Sequence, residues 1–239
     1  MLSAVVMKKD IELQTVKLID IVRAGINRER QAKHQISDHK ALHFRDLKHE
    51  QRKFYASVVG NAGLASVTVL IDKTKLASPE TFQARQRLYN YAVRLLVERI
   101  SWYCRDHYRE GDNGDGSIDL VFSNRATMDY DKLRDYLSYM EQNSLALQYQ
   151  AAQGIIVARQ VETYAAGRRM GLQVADAVAS GYFFAVEKSS YGFTEEAYGK
   201  LMLPSCYRHK GQLWGYGLKI VPKEAEEARR SGELLADYA

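Results

Sequence analysis

The chain has 239 residues, of which 46% are hydrophobic and 26% are charged, with 3 proline and 16 glycine residues. This composition excludes collagen-like, proline-rich and low-complexity disordered proteins and favours a folded, soluble domain. Two cysteines, Cys104 and Cys206, are too few for a disulfide framework, so a reducing, cytoplasmic location is expected. No apolar run approaches the roughly 20 residues that cross a bilayer, and the amino terminus lacks the order of a secretory signal, so no membrane association is expected.

The net charge of +5 is concentrated in the first quarter of the chain. Residues 8 to 53 contain twelve Lys or Arg and seven Asp or Glu, which is itself an excess of five. A basic segment of this kind can contact the phosphates of a nucleic acid. Because acids are interleaved with the bases, a solvated helical face explains the same pattern, and both interpretations stay open.

Predicted strands and helices alternate along the chain. Apolar and β-branched runs predict strands at residues 1–7, 65–71, 118–122, 154–158 and 213–221. Helical spacing and capping residues predict helices that begin at Asp10, near Lys48, at Ser78–Pro79 (running to Tyr108), at Asp129 and at Gly171. This alternation predicts a single α/β domain over residues 1–222 with a partly parallel sheet, and the charged segment 223–239 is expected to be a surface tail.

Several well-defined sites are absent from the sequence. It contains no GxxxxGK[ST], no GxGxxG after a strand, no GxSxG and no CxxC. The turn GDNGDG at residues 111–116 resembles a calcium loop, but glycines occupy two positions that need oxygen ligands. His43, Asp46 and His49, spaced by threes, could bind a transition metal, although incidental spacing in a charged segment explains them more simply.

The most informative segment is GLQVADAVASGYFFAVE, residues 171–187. Gln173 and Asp176 are three residues apart and therefore share one face of the predicted helix. A carboxylate in an apolar run is costly unless a cation or hydrogen bonds compensate it, so Asp176 is a candidate metal ligand. Pairing with Arg168 or Arg169 is the alternative, and these arginines are themselves candidate phosphate contacts.

Gln173-Val-Ala-Asp176 resembles the Gln-x-x-Asp pair of the bacterial family catalogued as domain of unknown function 3800. Segments 42–52 (LHFRDLKHEQR), 95–102, 121–137 and the late WGYGLKIVP are also similar, in the same order. The resemblance implies a ribonuclease H-like fold, a mixed sheet flanked by helices, in which Mg²⁺ or Mn²⁺ supports hydrolysis of nucleic-acid phosphodiesters. The catalytic residues that it implies are Asp176, Gln173, Glu98 and Asp72, with Asp176 and Glu98 as metal ligands.

The chain departs from the family pattern at its amino terminus. Residues 1–7 resemble the family's second strand, so the first strand, which carries an Asp-Glu pair, is missing. That strand is central in the family's sheet, and its loss would leave a gap of about 9.6 Å, or two spacings of about 4.8 Å. Either the start is assigned at an internal methionine, which the apolar first residues favour, or the chain is a shortened and inactive relative.

The unpaired strand edges invite association with a protein partner or with a second copy of the chain. An alternative function is therefore a non-catalytic module that binds nucleic acid or protein, as an accessory of phage defence or of mobile elements.

Overall fold

The protein is a mixed α/β structure, as the alternation of predicted elements indicates; the computed structural model describes residues 1–8, 12–28, 35–37, 40–84, 86–109, 115–165 and 167–230. The strands are β1 (Leu2–Val6), β2 (Ala65–Ile71), β3 (Ile118–Ser123), β4 (Ile156–Tyr164) and β5 (Leu218–Val221). The helices are α1 (Glu12–Arg28), α2 (His49–Gly60), α3 (Arg87–His107), α4 (Tyr130–Gln142), α5 (Met170–Val186), α6 (Ala197–Met202) and α7 (Lys223–Arg230).

The described strands form two sheets instead of one. In the first sheet, of order β1-β2-β5, β1 runs antiparallel to β2 and β5 runs parallel to it. The second sheet consists of β3 and β4 in parallel. Along β1, Val5 packs with the cluster that contains α5 and Val6 packs with the cluster that contains α3, because successive residues of a strand face opposite sides.

The same two helices cover both sheets. On one face, Val93 and Val97 of α3 pack against Leu120 of β3, whereas Leu96 and Ile100 of α3 join the cluster of β2 side chains. On the opposite face, α5 contacts β1, β2 and β3. The two sheets therefore lie side by side in a single layer between α3 and α5.

A gap separates the edges of β1 and β3 within this layer. Among the described residues, β1 pairs only with β2, and β3 pairs only with β4. Leu2 of β1 and Ile118 of β3 nevertheless pack against the same two clusters. Burial, together with the nearby charges of Lys73 and Arg125, lowers the pKa of the Met1 amino group, which places the start of β1 near the end of β3.

Burial along the strands indicates that this gap is open. Leu2 to Val5 are only partly buried although helices cover both faces of β1. In contrast, the first five residues of β2, all paired with β1 and the last two also with β5, are buried. The exposure of β1 therefore comes from its edge. A strand edge without a partner leaves backbone N–H and C=O groups free to pair with another extended segment.

Most predicted elements are confirmed. The strand at 65–71 has the predicted bounds, those at 1–7 and 118–122 are within one residue, and the helix predicted from Asp129 is present with that side chain accepting a hydrogen bond from the Lys132 N–H. Helices also follow Lys48 and occupy most of residues 171–188. The predicted cap at Asp10 and most of the turn at 111–116 lie outside the described residues.

The long helix predicted from Ser78 to Tyr108 is wrong in its first part. Pro79–Phe82 is a short 3₁₀ turn, the Ser78 side chain makes no capping hydrogen bond, and α3 begins only at Arg87. Residues 77–81 are exposed, so this stretch has no core on which a helix could pack. Gln86 instead donates its side-chain amide to the Asp129 carbonyl and so joins the starts of α3 and α4.

The last two strands also differ from the prediction. β4 begins after Gly154, whose φ of 76° makes a turn, and continues through polar residues to Tyr164 because it pairs along the whole of β3. β5 covers only the end of the segment predicted at 213–221, since the preceding residues form a turn. A Cβ at Gly217 would lie 2.2 Å from the Tyr207 carbonyl oxygen, so only glycine fits where this turn packs against residues 206–207.

The segment after β5 forms α7, and its first turns pack on the domain. Glu226 is buried and accepts hydrogen bonds from the Lys219 ammonium at 3.0 Å and the Ile220 N–H at 3.1 Å. Ala225 is also buried. The described part of the predicted tail is therefore attached to β5 and is not a free appendage. No helix in the described ranges has the length and apolarity needed to span a membrane.

Candidate metal and nucleic-acid site around Asp176

Helix α5 holds Asp176 at the surface by burying the residues around it. Val174, Ala177 and Val178 are fully buried in the largest core cluster, because α5 packs on β1, α1 and α2. The Asp176 side chain, in contrast, is 45% exposed. Burial, and to a smaller extent the negative charge of Asp176, raises the pKa of Tyr55. The carboxylate therefore lies at the rim of the core and is open to ligands from solvent.

His43 lies next to Asp176. The imidazole Nδ1 is 3.9 Å from the nearer carboxylate oxygen, and the two side chains are about equally exposed. Leu42 and Phe44, on either side of His43, are buried in the same cluster as α5, so the intervening side chain faces outward. The two groups form an exposed acid and imidazole pair, and both can ligate a divalent cation.

Gln173 has a different environment from Asp176. It is buried, and its side-chain carbonyl accepts a hydrogen bond from the Leu42 N–H at 2.7 Å. Its amide nitrogen lies 3.0 Å from the Met170 sulfur, and its backbone carbonyl accepts a hydrogen bond from the Tyr55 hydroxyl at 3.2 Å. Gln173 therefore anchors the segment that carries His43, and both ends of its side-chain amide have partners within the protein.

Glu98 is placed in the core of the structure, with a complete set of partners. Its side chain is 5% exposed and lies 3.3 Å from the Arg94 guanidinium and 3.5 Å from that of Arg99. It also accepts a hydrogen bond from the Gln150 N–H at 3.2 Å. These contacts tie α3 to the segment after α4. The predicted metal-ligand role has no support in this geometry, since cationic partners already surround the carboxylate.

Asp72 caps a turn. It follows β2, and its carboxylate accepts hydrogen bonds from the N–H and the hydroxyl of Thr74, at 3.1 and 2.6 Å. These bonds start the short 3₁₀ turn Lys73–Lys75. The sequence correctly places Asp72 at the end of a strand, but its described contacts are those of a local turn.

Arg168 and Arg169 immediately precede α5. Arg168 is exposed in the loop, and Arg169 lies at the N-cap position of the helix. The Arg169 guanidinium stacks over the Tyr164 ring at 4.7 Å and lies 3.7 Å from the Glu162 carboxylate. These contacts direct the Arg169 guanidinium towards β4, whereas the pairing of Asp176 that the structure shows is with His43.

The three residues spaced by threes do not converge. His43 lies at Asp176, whereas His49 is bonded through Nδ1 to the Tyr198 hydroxyl at 2.7 Å and lies 3.4 Å from the Glu195 carboxylate. Within the described ranges, no group of three His, Cys, Asp or Glu side chains is close enough to hold a metal ion. A complete cation site at Asp176 would therefore need further oxygen ligands.

Sequence reasoning missed a pair of arginines that lie on aromatic rings of α5. The Arg45 guanidinium is 4.7 Å from the centre of the Phe183 ring. The Arg52 guanidinium is 4.6 Å from that of Phe184 and also donates to the Phe44 and Arg45 carbonyls, at 3.1 and 2.6 Å. The basic excess of residues 8–53 and the Phe-Phe dipeptide are both visible in the sequence, but only the fold pairs them. These side chains, which we call the arginine strip, place two cations along the helix that carries Asp176.

The site therefore combines one exposed carboxylate, an imidazole and a short arginine strip. Such a set can attract a phosphate group and contribute one or two ligands to a divalent cation. Comparisons of the chain with protein-family models, with curated proteins and with solved structures gave no match.

Proposed function

We propose that the protein acts on nucleic acid as a ribonuclease H-like protein related to the family catalogued as domain of unknown function 3800. In this proposal Asp176 contributes to a site for Mg²⁺ or Mn²⁺, and the arginine strip contacts the phosphate backbone. A metal held there by Asp176 and His43 would supply polarisation of a phosphodiester and activation of water, while Gln173 maintains the position of the segment that carries His43.

The observation that carries the proposal is the gap between β1 and β3. The order β2-β1-gap-β3-β4, with β3 and β4 parallel and β1 antiparallel to β2, is the order that the family resemblance implies for a sheet without its central strand. Helix α5, which carries Asp176, contacts strands on both sides of the gap. A strand in this position would run beneath α5 and could bring further carboxylates to the site.

The missing strand is proposed to come from outside the described residues, from a protein partner or from a second copy of the chain. Pairing with it would satisfy the free edges of β1 and β3 and would join the two sheets into one. This coupling would strengthen the metal binding that Asp176 and His43 provide in the chain alone.

A specific observation favours a second candidate, a non-catalytic module that binds nucleic acid. Three of the four residues predicted to be catalytic are occupied by structural contacts: Gln173 holds Leu42, Glu98 lies between two arginines, and Asp72 caps a turn. A surface with cations and a single exposed carboxylate binds phosphates without hydrolysing them. This candidate requires neither a metal nor a further strand.

Substitution of Asp176 by asparagine separates the two candidates. If the first is correct, the wild-type protein binds Mn²⁺ and cleaves fluorescently labelled DNA or RNA in Mg²⁺, and D176N weakens Mn²⁺ binding at least about tenfold and abolishes cleavage. Calorimetric titration with Mn²⁺ and gel analysis of the cleavage products measure both effects. Asp131→Asn, which removes an exposed carboxylate from α4, is the matched control and should change neither.

Mg²⁺-dependent cleavage that persists in D176N would defeat the assignment of the site. Salt-sensitive binding of the labelled nucleic acid, without Mn²⁺ binding and without turnover, would select the second candidate.

A further inference from the structure

A second group of functional side chains lies at the carboxyl-terminal end of α3, apart from Asp176. It consists of aromatic and imidazole rings from α3 and from the segment that follows α6, which we call the ring cluster: Tyr103, His107, Tyr207, His209 and Tyr216. The proposed function uses none of them.

Asp106 organises the ring cluster. One carboxylate oxygen accepts hydrogen bonds from the Tyr207 hydroxyl at 2.6 Å and from Nδ1 of His209 at 2.7 Å, while the other accepts from the Arg105 guanidinium at 2.9 Å. Burial acts to raise the pKa of Asp106, but the hydrogen bonds from Tyr207, Arg105 and His209 lower it to about 2. The carboxylate is therefore ionised and holds three side chains in fixed positions.

The two histidines of the cluster have defined orientations. Carboxylate and carbonyl oxygens only accept hydrogen bonds, so Nδ1 of His209 donates to Asp106, and Nδ1 of His107 donates to the Tyr103 carbonyl at 2.8 Å. Each imidazole therefore has its Nε2 atom left for another partner. Nε2 of a neutral imidazole accepts a hydrogen bond, and Nε2 of a protonated one donates.

The rings stack in pairs. The His107 imidazole lies 4.1 Å from the Tyr103 ring with an angle of 25° between planes, and the His209 imidazole lies 4.9 Å from the Tyr216 ring at the same angle. Tyr207 stands edge-on to Tyr103, at 5.4 Å and 82°. His107 is the exposed ring of the cluster, Tyr207 is buried and the other three are half-buried, so a further flat ring would stack at the His107 end.

A cavity of about 280 Å³ opens beside these rings, lined by residues that include Leu64, Tyr103, His107, Pro204, Tyr207 and Arg208. Its volume is near the lower end of ligand pockets, about 300 Å³, which suits a single small ring system. Two of the segments that line it, 103–109 and 204–212, contain four Lys or Arg and a single acid, Asp106. The cavity is therefore lined by aromatic rings and one cation, Arg208, in basic surroundings.

We propose that this cavity binds a nucleotide, with the base against the His107 and Tyr103 rings and the phosphate at Arg208. Aromatic rings stack on any base, and a guanidinium pairs with phosphate oxygens. Arg208 is already oriented, since it donates to the Gly211 carbonyl at 3.3 Å. The inference does not depend on Asp176, because neither metal nor cleavage is involved.

Calorimetric titration of the full chain with AMP in the absence of divalent metal tests this site. We expect saturable binding that is about tenfold weaker in Arg208→Ala and in His107→Ala, the loss expected for one phosphate contact or one stacking partner. Lys75→Ala, which removes an exposed charge beyond the opposite end of β2, is the matched control and should bind as the wild type does. D176N should also bind normally, which distinguishes failure of this site from failure of the proposed function.

Two further ligands identify the source of the nucleotide and test the role of the rings. An octa-adenylate that binds more than about tenfold tighter than AMP would identify single-stranded nucleic acid, whereas equal affinities would identify a free mononucleotide. Inorganic phosphate that binds as tightly as AMP would contradict the stacking role of the rings. Absence of saturation with AMP and octa-adenylate at millimolar concentration, or unchanged AMP binding in both variants, would overturn the proposal; circular dichroism verifies that each variant is folded.

Discussion

Replacement of Glu98 by alanine is expected to lower the free energy of unfolding by about 3–5 kcal/mol. The Glu98 carboxylate is the counter-ion of Arg94 and Arg99, and its removal leaves the Arg99 guanidinium, whose side chain is 7% exposed, without its acidic partner. Burial already lowers the pKa of Arg99, and the charge of Glu98 opposes this effect. The Gln150 N–H would also lose its acceptor. Urea unfolding followed by circular dichroism measures the change.

Glu227→Ala is the matched control for this prediction. Glu227 also forms an ion pair with a base four residues away in a helix, Lys223, but both side chains are more than half exposed. Its loss should change stability by at most about 0.5 kcal/mol. If E98A were as stable as E227A, the structural role of Glu98 would be wrong, and its assignment as a metal ligand would become credible again.

Replacement of Phe44 by alanine is expected to cost about 3–5 kcal/mol of stability, as for other fully buried aromatic side chains. Phe44 has no exposed surface, and its ring lies 5.4 Å from that of Tyr198 and 5.8 Å from that of Tyr55. The substitution would also release the segment that carries His43 from α5. If Asp176 and His43 bind the metal together, we therefore expect F44A to lose Mn²⁺ affinity as well.

Phe193→Ala provides the comparison for F44A. Phe193 is 77% exposed, so its removal should change stability by no more than about 0.5 kcal/mol. Thermal unfolding of the two variants by calorimetry gives both values. Equal melting temperatures for F44A and the wild type would show that residues 42–47 are not packed on α5 as described.

The elements that were predicted well are those in which local pattern and packing agree. β2 is a β-branched run that lies between β1 and β5, and α4 starts as predicted at Asp129, whose side chain makes a capping bond. The long helix is mispredicted because the proline and the helix-forming residues after Ser78 indicate only a local preference for helix. Whether a helix forms there depends on a core to pack on, and the exposed residues 77–81 have none.

The candidate site shows a different limit of prediction. The spacing of Gln173 and Asp176 correctly places both on one helix, but whether a polar side chain is exposed or bonded depends on segments far away in the sequence. Gln173 is occupied by Leu42, 131 residues earlier. Glu98 is occupied by its own neighbours on α3 and by the segment after α4. Residue type and spacing in the sequence cannot distinguish carboxylates and amides that hold the structure together from those that bind a ligand.

The gap between β1 and β3 connects the fold to the proposed function. Helices α3 and α5 cover both sheets, as they would cover a single continuous sheet. The strand edges that face the gap have no partner among the described strands. A strand that fills this position would stabilise both sheets and complete the surroundings of Asp176. Completion of the Asp176 site by an added strand therefore requires these two edges to be open in the isolated chain.

Amide hydrogen exchange of the isolated chain, followed residue by residue by NMR, tests this claim most directly. An antiparallel ladder directs only alternate N–H groups to the partner strand, so alternate amides of β1 should face the gap. We expect those amides, and the gap-facing amides of β3, to exchange at least about 100-fold faster than the amides of β2, which has neighbours on both sides. Uniform protection of β1 and β3 at the level of β2 would show that the edges are already paired and would contradict the account.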